Sequence, residues 1–385
     1  MRPPVFVISN DVVPNLTLPV AAPGLRAFGL AEGLRSNGLR VKTLVPRGSV
    51  DRRWRRLGRS APSPTAPGTE FVDERRLSRY LEANAPAVAV ITNSNHVDHL
   101  RPIEGIRYVV DFFAPKMLET LYQHGAVYPK KELKDLRRRK IQTIELADAF
   151  VVNGSKKVPY FLAWILQADR DIRQIPLEVV NMCVPISISE REPRDDGRAR
   201  FAVAGYLQSW SLPGGWMSAV TRRLDDPRMS LDLLTPWHWG GGAGRSHESE
   251  SGLVRLAKHP SVTTHASMTF SDFQKFLSNV DVSVDLFEHN LEREYAMVTR
   301  SVISLSCGVP VIHPPFTEVS KMISDYDAGW LVDPRDTEAI EQIVESILEQ
   351  PDLLREKQRN ARTLAAAVLD PKVAVEPLVR ILESW

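Results

Sequence analysis

Cysteine is scarce in this sequence, with 2 residues in 385. Two cysteines cannot build a disulfide framework or a four-cysteine zinc site, so we expect reducing surroundings. Long apolar runs are also missing, and no stretch approaches the roughly 18 residues that span a bilayer. The run Val5–Ile8 is too short for the hydrophobic region of a signal peptide. These absences predict a cytoplasmic protein, either free or peripheral at the inner face of the membrane.

Several nucleotide-binding and catalytic signatures are absent as well. The first predicted strand is followed by Asn10–Leu16 rather than by a Gly-x-Gly-x-x-Gly turn, which disfavours a dinucleotide site. The P-loop signature, the Gly-x-Ser-x-Gly nucleophile elbow and the His-Glu-x-x-His zinc motif do not occur. The glycine-rich run Gly240–Gly244 opens no predicted helix and is interpreted as a flexible loop.

The composition is that of a soluble globular chain, with 43% hydrophobic and 25% charged residues. Short strand-like runs alternate with helical segments, the polar stretch Ser187–Arg198 interrupts this pattern, and the alternation then restarts. Alternating strands and helices are typical of parallel sheets covered on both faces. We predict an α/β fold of two doubly wound parallel-sheet domains, at residues 1–185 and 186–370. A C-terminal helix over 371–385 is a candidate to cross back to the first domain.

Charge is distributed unevenly along the chain. Residues 1–185 hold 28 basic and 18 acidic residues, a net charge of +10, and the remainder has a net charge of −8. Basic residues concentrate at Arg52–Arg56, within a predicted loop over 48–69, and at Lys130–Lys140, which has the apolar stripe of a helix. Such clusters suit an anionic partner, namely a phospholipid surface or a diphosphate-linked acceptor, or they form a solvated face. Nucleic acid is disfavoured because aromatic residues are not interleaved with the basic ones.

Four stretches of the sequence carry a resemblance to a known family. They are Ile8–Arg26, Tyr108–Glu119, Glu292–Ile312 and Asp327–Asp336. The third is the most specific, because a carboxylate precedes a helix that ends in Gly-Val-Pro-Val. Together they resemble nucleotide-sugar glycosyltransferases of the GT-B fold, above all the retaining family-four group and its bacterial polysaccharide relatives. The resemblance implies two Rossmann-like domains facing across a cleft, with the nucleotide sugar on the second and a glycan, lipid-linked or small-molecule acceptor on the first.

The resemblance also indicates donor-binding residues. Gly24 would let the backbone approach the diphosphate, while Thr299 and Arg300 would offer amide donors, a hydroxyl and a phosphate fork at a helix N-terminus. Glu318 would bind the ribose or the sugar. Tyr206 follows the first donor-domain strand, where the family carries basic residues. A turn glycine, a helix cap and a solvated arginine are the ordinary structural alternatives.

Carboxylates are the candidates for sugar binding. Glu294 lies nearest the family's first glutamate, with Glu292 as its neighbour, although the strict position falls on Tyr295. An ordinary loop acid is the alternative interpretation. The family's second glutamate is replaced by Ile303, counted back from Gly308. These departures leave the nucleotide open, and they keep a non-catalytic scaffold or partner subunit as the alternative function.

The resemblance implies a mechanism that retains configuration and needs no metal ion or other cofactor. Arg300 and the helix dipole would stabilise the charge that grows on the leaving diphosphate. If the enzyme inverts configuration instead, it needs a general base in the first domain. Asp111, at the end of a predicted strand, is the first candidate, and His96 is the second. Capping the next turn is the alternative role of Asp111, and a nucleotide-sugar 2-epimerase is a third functional alternative.

Overall fold

The chain forms two compact units. The computed structural model describes residues 2–16, 18–56, 67–187, 197–205, 215–234 and 254–385. Unit 1 consists of Met1–Thr120, Pro129–Pro185 and Val368–Trp385, and unit 2 consists of Leu121–Tyr128 and Ile186–Ala367. The C-terminal segment is therefore part of the first unit, and a short segment from the first half of the chain is part of the second.

Unit 1 is built on a seven-stranded sheet in the order β3-β2-β1-β4-β5-β6-β7. Its strands are Val5–Ile8 (β1), Val41–Pro46 (β2), Thr69–Val72 (β3), Ala87–Thr92 (β4), Ile106–Phe112 (β5), Ala149–Val152 (β6) and Leu177–Val179 (β7). Each neighbouring pair is parallel. Strands β1 and β4 are buried along their whole length, as in a parallel sheet that is covered on both faces.

Helices cover both faces of the unit 1 sheet. They are Ala22–Ser36, Arg47–Arg56, Leu77–Glu82, Lys116–Gln123, Lys130–Leu146, Val158–Gln167, Pro371–Ala374 and Glu376–Glu383, with 3-10 turns at Pro14–Leu16, Glu74–Arg76, Val97–His99 and Ser155–Lys157. Val7 shares one buried cluster with Leu30 and Leu378, and Phe6 shares another with Leu81. Because successive β1 side chains point to opposite faces, these two clusters lie on the two sides of the sheet.

Unit 2 is built on a six-stranded parallel sheet in the order β10-β9-β8-β11-β12-β13. Its strands are Ala199–Ala204 (β8), Met229–Leu234 (β9), Val262–Thr264 (β10), Val282–Val284 (β11), Val311–His313 (β12) and Gly329–Leu331 (β13). Its helices are Trp216–Arg223, Phe270–Leu277, Leu291–Tyr295, Thr299–Ser306, Glu318–Tyr326, Thr337–Glu349 and Pro351–Leu364, the last continuing as a π-helical turn over Ala365–Leu369. Phe201, Trp216 and Ile340 belong to its buried core.

Each sheet has a point at which the strand order changes direction. The chain first builds from β1 outward to β3 and then returns to place β4 on the other side of β1. In unit 2 the same change falls between β8 and β11. Doubly wound sheets bind ligands outside the carboxyl ends of the strands at this switch point. The two switch points therefore define where functional residues are to be sought.

The structure confirms the predicted α/β class and the two parallel sheets. The loop predicted over 48–69 is wrong in part, because Arg47–Arg56 forms a helix and β3 begins at Thr69. Strands β3 and β7 escaped prediction because they are short and only partly buried, so their apolar pattern is weak. The glycine-rich run Gly240–Gly244 lies outside the described residues.

Candidate functional site

The switch point of unit 2 gathers polar and charged side chains at the carboxyl edge of the sheet. Gly205 follows β8 and Asp285 follows β11. The helix Thr299–Ser306 begins nearby, and its N-cap residue Val298 makes no side-chain hydrogen bond to it. A helix N-terminus without a side-chain cap presents backbone amide donors, which suit an anion.

Arg300 lies across this switch point. Its Nε donates to Asp285 Oδ1 at 2.5 Å, and its side chain is 20% exposed. Gly205 has φ +100°, and a Cβ at this position would lie 3.1 Å from Arg300 Cδ and 3.2 Å from its Nη1. Glycine at the end of β8 therefore makes room for the guanidinium, and Asp285 fixes its orientation.

A buried chain of hydrogen bonds continues from Asp285 to the next helix. Ser301 Oγ donates to Asp285 Oδ2 and lies 3.2 Å from His313 Nδ1, while His313 Nε2 lies 2.8 Å from Thr317 Oγ1. Because the Ser301 proton is used on Asp285, Ser301 Oγ accepts from His313 Nδ1–H. His313 Nε2 then accepts from the Thr317 hydroxyl. The chain fixes one tautomer of the histidine.

His313 is held in its neutral form. It is fully buried, and desolvation lowers its pKa to about 4, with opposing contributions from Asp285 and further lowering by Arg300 and Arg293. A neutral imidazole matches the hydrogen-bond roles that Ser301 and Thr317 impose on it. His313 therefore supports the arginine site without adding a charge to it.

The helix Glu318–Tyr326 begins at the end of this chain. Thr317 caps it, since its Oγ1 accepts from Val319 N at 3.1 Å while its own N–H donates to Ser320 Oγ at 2.9 Å. Glu318, the first residue of the helix, is buried, and its N–H donates to the Ala296 carbonyl at 3.4 Å. The structure thus places Glu318 at a capped helix start that is tied to the Arg300 network.

Glu292 and Glu294 have different surroundings. Glu292 is buried and pairs with Arg293, whose Nε lies 2.5 Å away, and the Arg293 guanidinium lies 5.3 Å from the Phe287 ring centroid. Glu294 is partly exposed, with His289 Nε2 at 3.3 Å from its carboxylate. The Arg300 guanidinium is also within 6.0 Å of Phe287, so two arginines lie around one buried ring.

Other positions singled out by the resemblance fall into three environments. Ile303 is buried within the helix Thr299–Ser306, where an apolar residue suits the core. Thr299 is the first residue of that helix and is partly exposed. Tyr206 lies outside the described residues.

Asp111 in unit 1 is paired with an arginine. Arg26 donates from Nε to Oδ2 at 3.0 Å and from Nη2 to Oδ1 at 2.9 Å, and both side chains are fully buried. Arg26 also donates from Nη1 to the Asn181 carbonyl at 2.7 Å. Asp111 forms this ion pair rather than the turn cap that was the alternative interpretation, and the pair ties β5 to the helix Ala22–Ser36.

His96 and Gly24 lie near the carboxyl end of β1. His96 is buried, its Nε2 donates to the Ser9 carbonyl at 3.0 Å, and desolvation lowers its pKa. Gly24 is buried in the first turn of its helix, where a Cβ would overlap the carbonyl oxygen of Val12. Glycine is therefore required here for close packing of the helix on the preceding loop.

Across the ranges that the structure describes, no three His, Cys, Asp or Glu side chains are grouped so that they could hold a metal ion. None of the helices in those ranges combines the length and the apolar character that crossing a bilayer requires.

The fold is similar to that of solved glycosyltransferases. No protein-family model and no curated protein matches the sequence. Sucrose-phosphate synthase from Thermosynechococcus elongatus is similar over 100% of this chain and 99% of its own, with a TM-score of 0.68 and 14% identity. Anabaena HepE, solved with UDP-glucose, is similar over the whole of both chains, with a TM-score of 0.66 and 13% identity. A glycosyltransferase from Rickettsia africae has a TM-score of 0.60 at 9% identity, over 100% and 98% of the two chains.

The chain has the GT-B fold. This confirms the resemblance at the level of architecture, since identities this low establish the fold alone. The GT-B fold has two Rossmann-like domains, and both sheets of this chain have the doubly wound parallel order. The switch points of units 1 and 2 therefore remain the places where substrate groups are expected.

Sequence reasoning missed several residues of these sites. Asp285 was included within a predicted strand, and His313 and Ser301 were not singled out. Arg26 is the last residue of the first resembling stretch, but its sequence context indicates no separate role for it. Their position in the sequence could have identified them. Polar residues that directly follow a buried strand lie at the carboxyl edge of the sheet, where ligands bind. Their pairing was not visible, since Asp111 and Arg26 are 85 residues apart.

Proposed function

We propose that the protein is a glycosyltransferase that uses a nucleoside diphosphate sugar as donor. The observation that carries the proposal is Arg300, held by Asp285 at the unit 2 switch point beside a helix N-terminus that lacks a side-chain cap. An arginine fork together with helix amides is suited to a diphosphate. HepE, which shares the fold, was solved with UDP-glucose, and this supports a sugar nucleotide as the ligand.

The proposed chemistry is departure of the diphosphate with stabilisation of its growing charge. Arg300 and the dipole of the helix Thr299–Ser306 would provide that stabilisation, and no metal ion is required for it. Glu318, at the start of its helix, and the Glu292–Glu294 segment are proposed to accept hydrogen bonds from ribose or sugar hydroxyls. These groups would fix the donor orientation on which transfer depends.

Retention of configuration is the stereochemical outcome that we propose. An inverting reaction would need a general base in unit 1. Asp111 is fully buried and held by both donors of the Arg26 fork, and His96 Nε2 is engaged with the Ser9 carbonyl. Both candidate bases are thus already committed within unit 1, which favours the retaining alternative.

The acceptor is proposed to bind unit 1. The helix Lys130–Leu146 exposes Lys131, Lys134 and Arg137, among other charged residues. A basic face of this kind suits a glycan or lipid-linked acceptor that carries negative charge, and peripheral contact with an anionic membrane. A cytoplasmic location belongs to the same proposal.

A non-catalytic, glycosyltransferase-like scaffold is the second candidate function. It is favoured by Ile303, which is buried at the position where the resembling family has a glutamate. An isoleucine cannot accept hydrogen bonds from ribose, so donor binding would be weakened or lost. The scaffold hypothesis predicts that nucleotide diphosphates do not bind.

A panel of sugar nucleotides tests the proposal. We expect the wild type to bind one of UDP, GDP, TDP or ADP in a thermal-shift assay and to release that nucleotide from its sugar donor. Replacing Arg300 by alanine should lower kcat/KM by about 10²–10³, as loss of one transition-state donor does. Arg355→Ala is the matched control, because Arg355 is an exposed arginine of the same unit and its loss should leave the rate unchanged. Binding of none of the four nucleotides would support the scaffold instead.

A further inference from the structure

A small pocket opens at the carboxyl edge of the unit 1 sheet. Its lining residues are Asn93, Ser94, Phe112, Lys116, Lys140 and Thr143. Asn93 directly follows β4, which neighbours β1 at the switch point, and Phe112 ends β5. Helices Lys116–Gln123 and Lys130–Leu146 supply the other side. The pocket therefore lies where a doubly wound sheet presents its ligand site.

Lys140 is the unexpected member of this pocket. The sequence places it in a cationic helix stretch, yet it is 6% exposed. Its Nζ lies 4.9 Å from the Phe161 ring centroid, 5.3 Å from that of Phe112 and 5.5 Å from that of Trp164. Burying an ammonium group is costly, and the three rings compensate only in part.

The charges around Lys140 leave the pocket cationic. Lys116 Nζ pairs with Glu119 at 2.5 Å, so that carboxylate is shared with a second lysine. Burial lowers the pKa of Lys140 to about 8, with Glu119 opposing the shift. The charged residues that line the pocket are Lys116 and Lys140, and because Glu119 pairs with Lys116, an anion would balance Lys140.

Asn93 adds a donor without a partner. Its backbone has φ 57°, in the left-handed region, and its Oδ1 accepts from Ala114 N at 3.2 Å. Its Nδ2 is buried and has no hydrogen-bond partner in the described structure. Buried polar groups in native proteins are normally satisfied, so the unpaired Nδ2 of Asn93, a residue that lines the pocket, points to a missing ligand.

We propose that this pocket binds an acidic oxygen-bearing group, a phosphate or a carboxylate, of the acceptor substrate. Lys140 and Asn93 Nδ2 would donate to its oxygens, and Ser94 and Thr143 also line the pocket. The assignment to the acceptor rests on the proposed glycosyltransferase function, whereas anion binding by the pocket does not. The alternative is that Lys140 only packs against the aromatic rings. This alternative leaves Asn93 Nδ2 without an acceptor.

Direct binding measurements on the full chain test the inference. Glucose 6-phosphate, glucuronate and glucose are titrated by calorimetry in the absence of any nucleotide. We expect one of the two acidic sugars to bind and neutral glucose to bind at least ~10-fold more weakly, as loss of a charge-assisted hydrogen bond predicts. The acidic sugar that binds distinguishes a phosphate from a carboxylate.

Three variants locate the binding in the pocket. Lys140→Met keeps the length of the side chain and removes its charge, and Asn93→Asp keeps the hydrogen bond from Ala114 while replacing the donor with an anion. Each should weaken binding about 10-fold or more. Lys372→Met, at an exposed lysine of the same unit outside the basic helix, is the control and should change affinity less than about twofold. If Lys140→Met does not fold, Asn93→Asp alone decides the outcome.

The outcomes separate this inference from the proposed function. Binding of neither acidic sugar, or equal affinity in wild type and Asn93→Asp, would overturn the pocket assignment. Binding of UDP, GDP, TDP and ADP is measured on the same samples. If the acidic sugar binds in the pocket while no nucleotide diphosphate binds, the glycosyltransferase proposal fails and the anion site stands. If a nucleotide diphosphate binds and neither acidic sugar binds, the anion site is refuted and the glycosyltransferase proposal stands.

Discussion

At the scale of single residues, the main feature of unit 1 is a buried ion pair. Arg26 and Asp111 are both fully buried, and each satisfies the other through two hydrogen bonds. Such a pair contributes little net stability over an apolar pair of the same size, but removing one partner leaves an uncompensated charge in the core. The structure therefore gives Asp111 a reason to be present that is independent of catalysis.

We predict that Asp111→Asn destabilises unit 1 by about 3 kcal/mol or more, because Arg26 stays charged and loses its anionic partner. The free energy of unfolding of unit 1 is measured by chemical denaturation, with hydrogen exchange of peptides that contain β5 as the readout. Glu82→Gln is the control, since Glu82 pairs with Arg101 on the surface and its replacement should cost less than about 1 kcal/mol. A variant that stays fully stable while turnover falls about 10³-fold would instead identify Asp111 as a general base.

At the scale of elements, the ends of strands and the beginnings of helices carry the proposed donor site. Strand β8 ends at Gly205, and Arg300 from the first turn of a helix lies against that glycine. A side chain at position 205 would have to displace the guanidinium. The positive φ at Gly205 adds backbone strain for any other residue.

Gly205→Ala should therefore weaken UDP or other nucleotide diphosphate binding by about 10-fold, as expected if a charge-assisted contact is misplaced. Gly38→Ala is the matched control. Gly38 also has a positive φ, of 79°, but a Cβ there meets nothing within 4 Å. Both variants should lose about 1 kcal/mol of stability from backbone strain, and only the first should lose affinity. Equal nucleotide affinity in the two variants, measured by calorimetry, would argue against Arg300 as the phosphate ligand.

At the scale of the whole molecule, the last residues of the chain complete the first unit. Leu378 and Val375 are fully buried in a cluster with Leu30 and Val7, from residues more than 300 positions earlier. Unit 1 therefore cannot form its complete core until the segment that contains Val375 and Leu378 has been synthesised. A C-terminal truncation would remove one side of that core.

Leu378→Ala tests this closure. We expect a loss of about 2–5 kcal/mol from unit 1, because a buried leucine is removed and a cavity remains. Val373→Ala, in the same segment at 37% exposure, should change stability by less than about 0.5 kcal/mol. Hydrogen exchange of peptides from β1 and the helix Ala22–Ser36 reports on unit 1 separately. Unchanged protection of those peptides in Leu378→Ala would show that the C-terminal helix is dispensable.

The sequence predicted the architecture well where the apolar pattern is strong. Buried strands such as β1 and β6 consist of consecutive apolar residues, and their alternation with helices specifies a parallel sheet. It missed the short strands β3 and β7 and the helix Arg47–Arg56, because these elements lack a strong apolar pattern. Local periodicity reports burial on one face of an element and nothing about its neighbours.

The residues of the candidate sites also differ in whether the sequence alone could identify them. Arg300 and Glu318 could be chosen from the sequence because they flank a recognisable helix and strand. Lys140 could not, since its charge places it among solvated lysines while the fold surrounds it with three aromatic rings. The anchoring of Arg300 by Asp285 was also not visible, because it depends on which strands become neighbours.

The sequence by itself determined which segments are strands and helices and that they form parallel sheets, since those choices depend on the spacing of apolar residues along the chain. Only the tertiary structure decided which charged side chains are buried and what faces them. Burial and pairing arise between residues that are distant in sequence, as with Arg26 and Asp111. The same side chain is a solvated surface charge or a buried ligand-binding group according to the elements that pack around it.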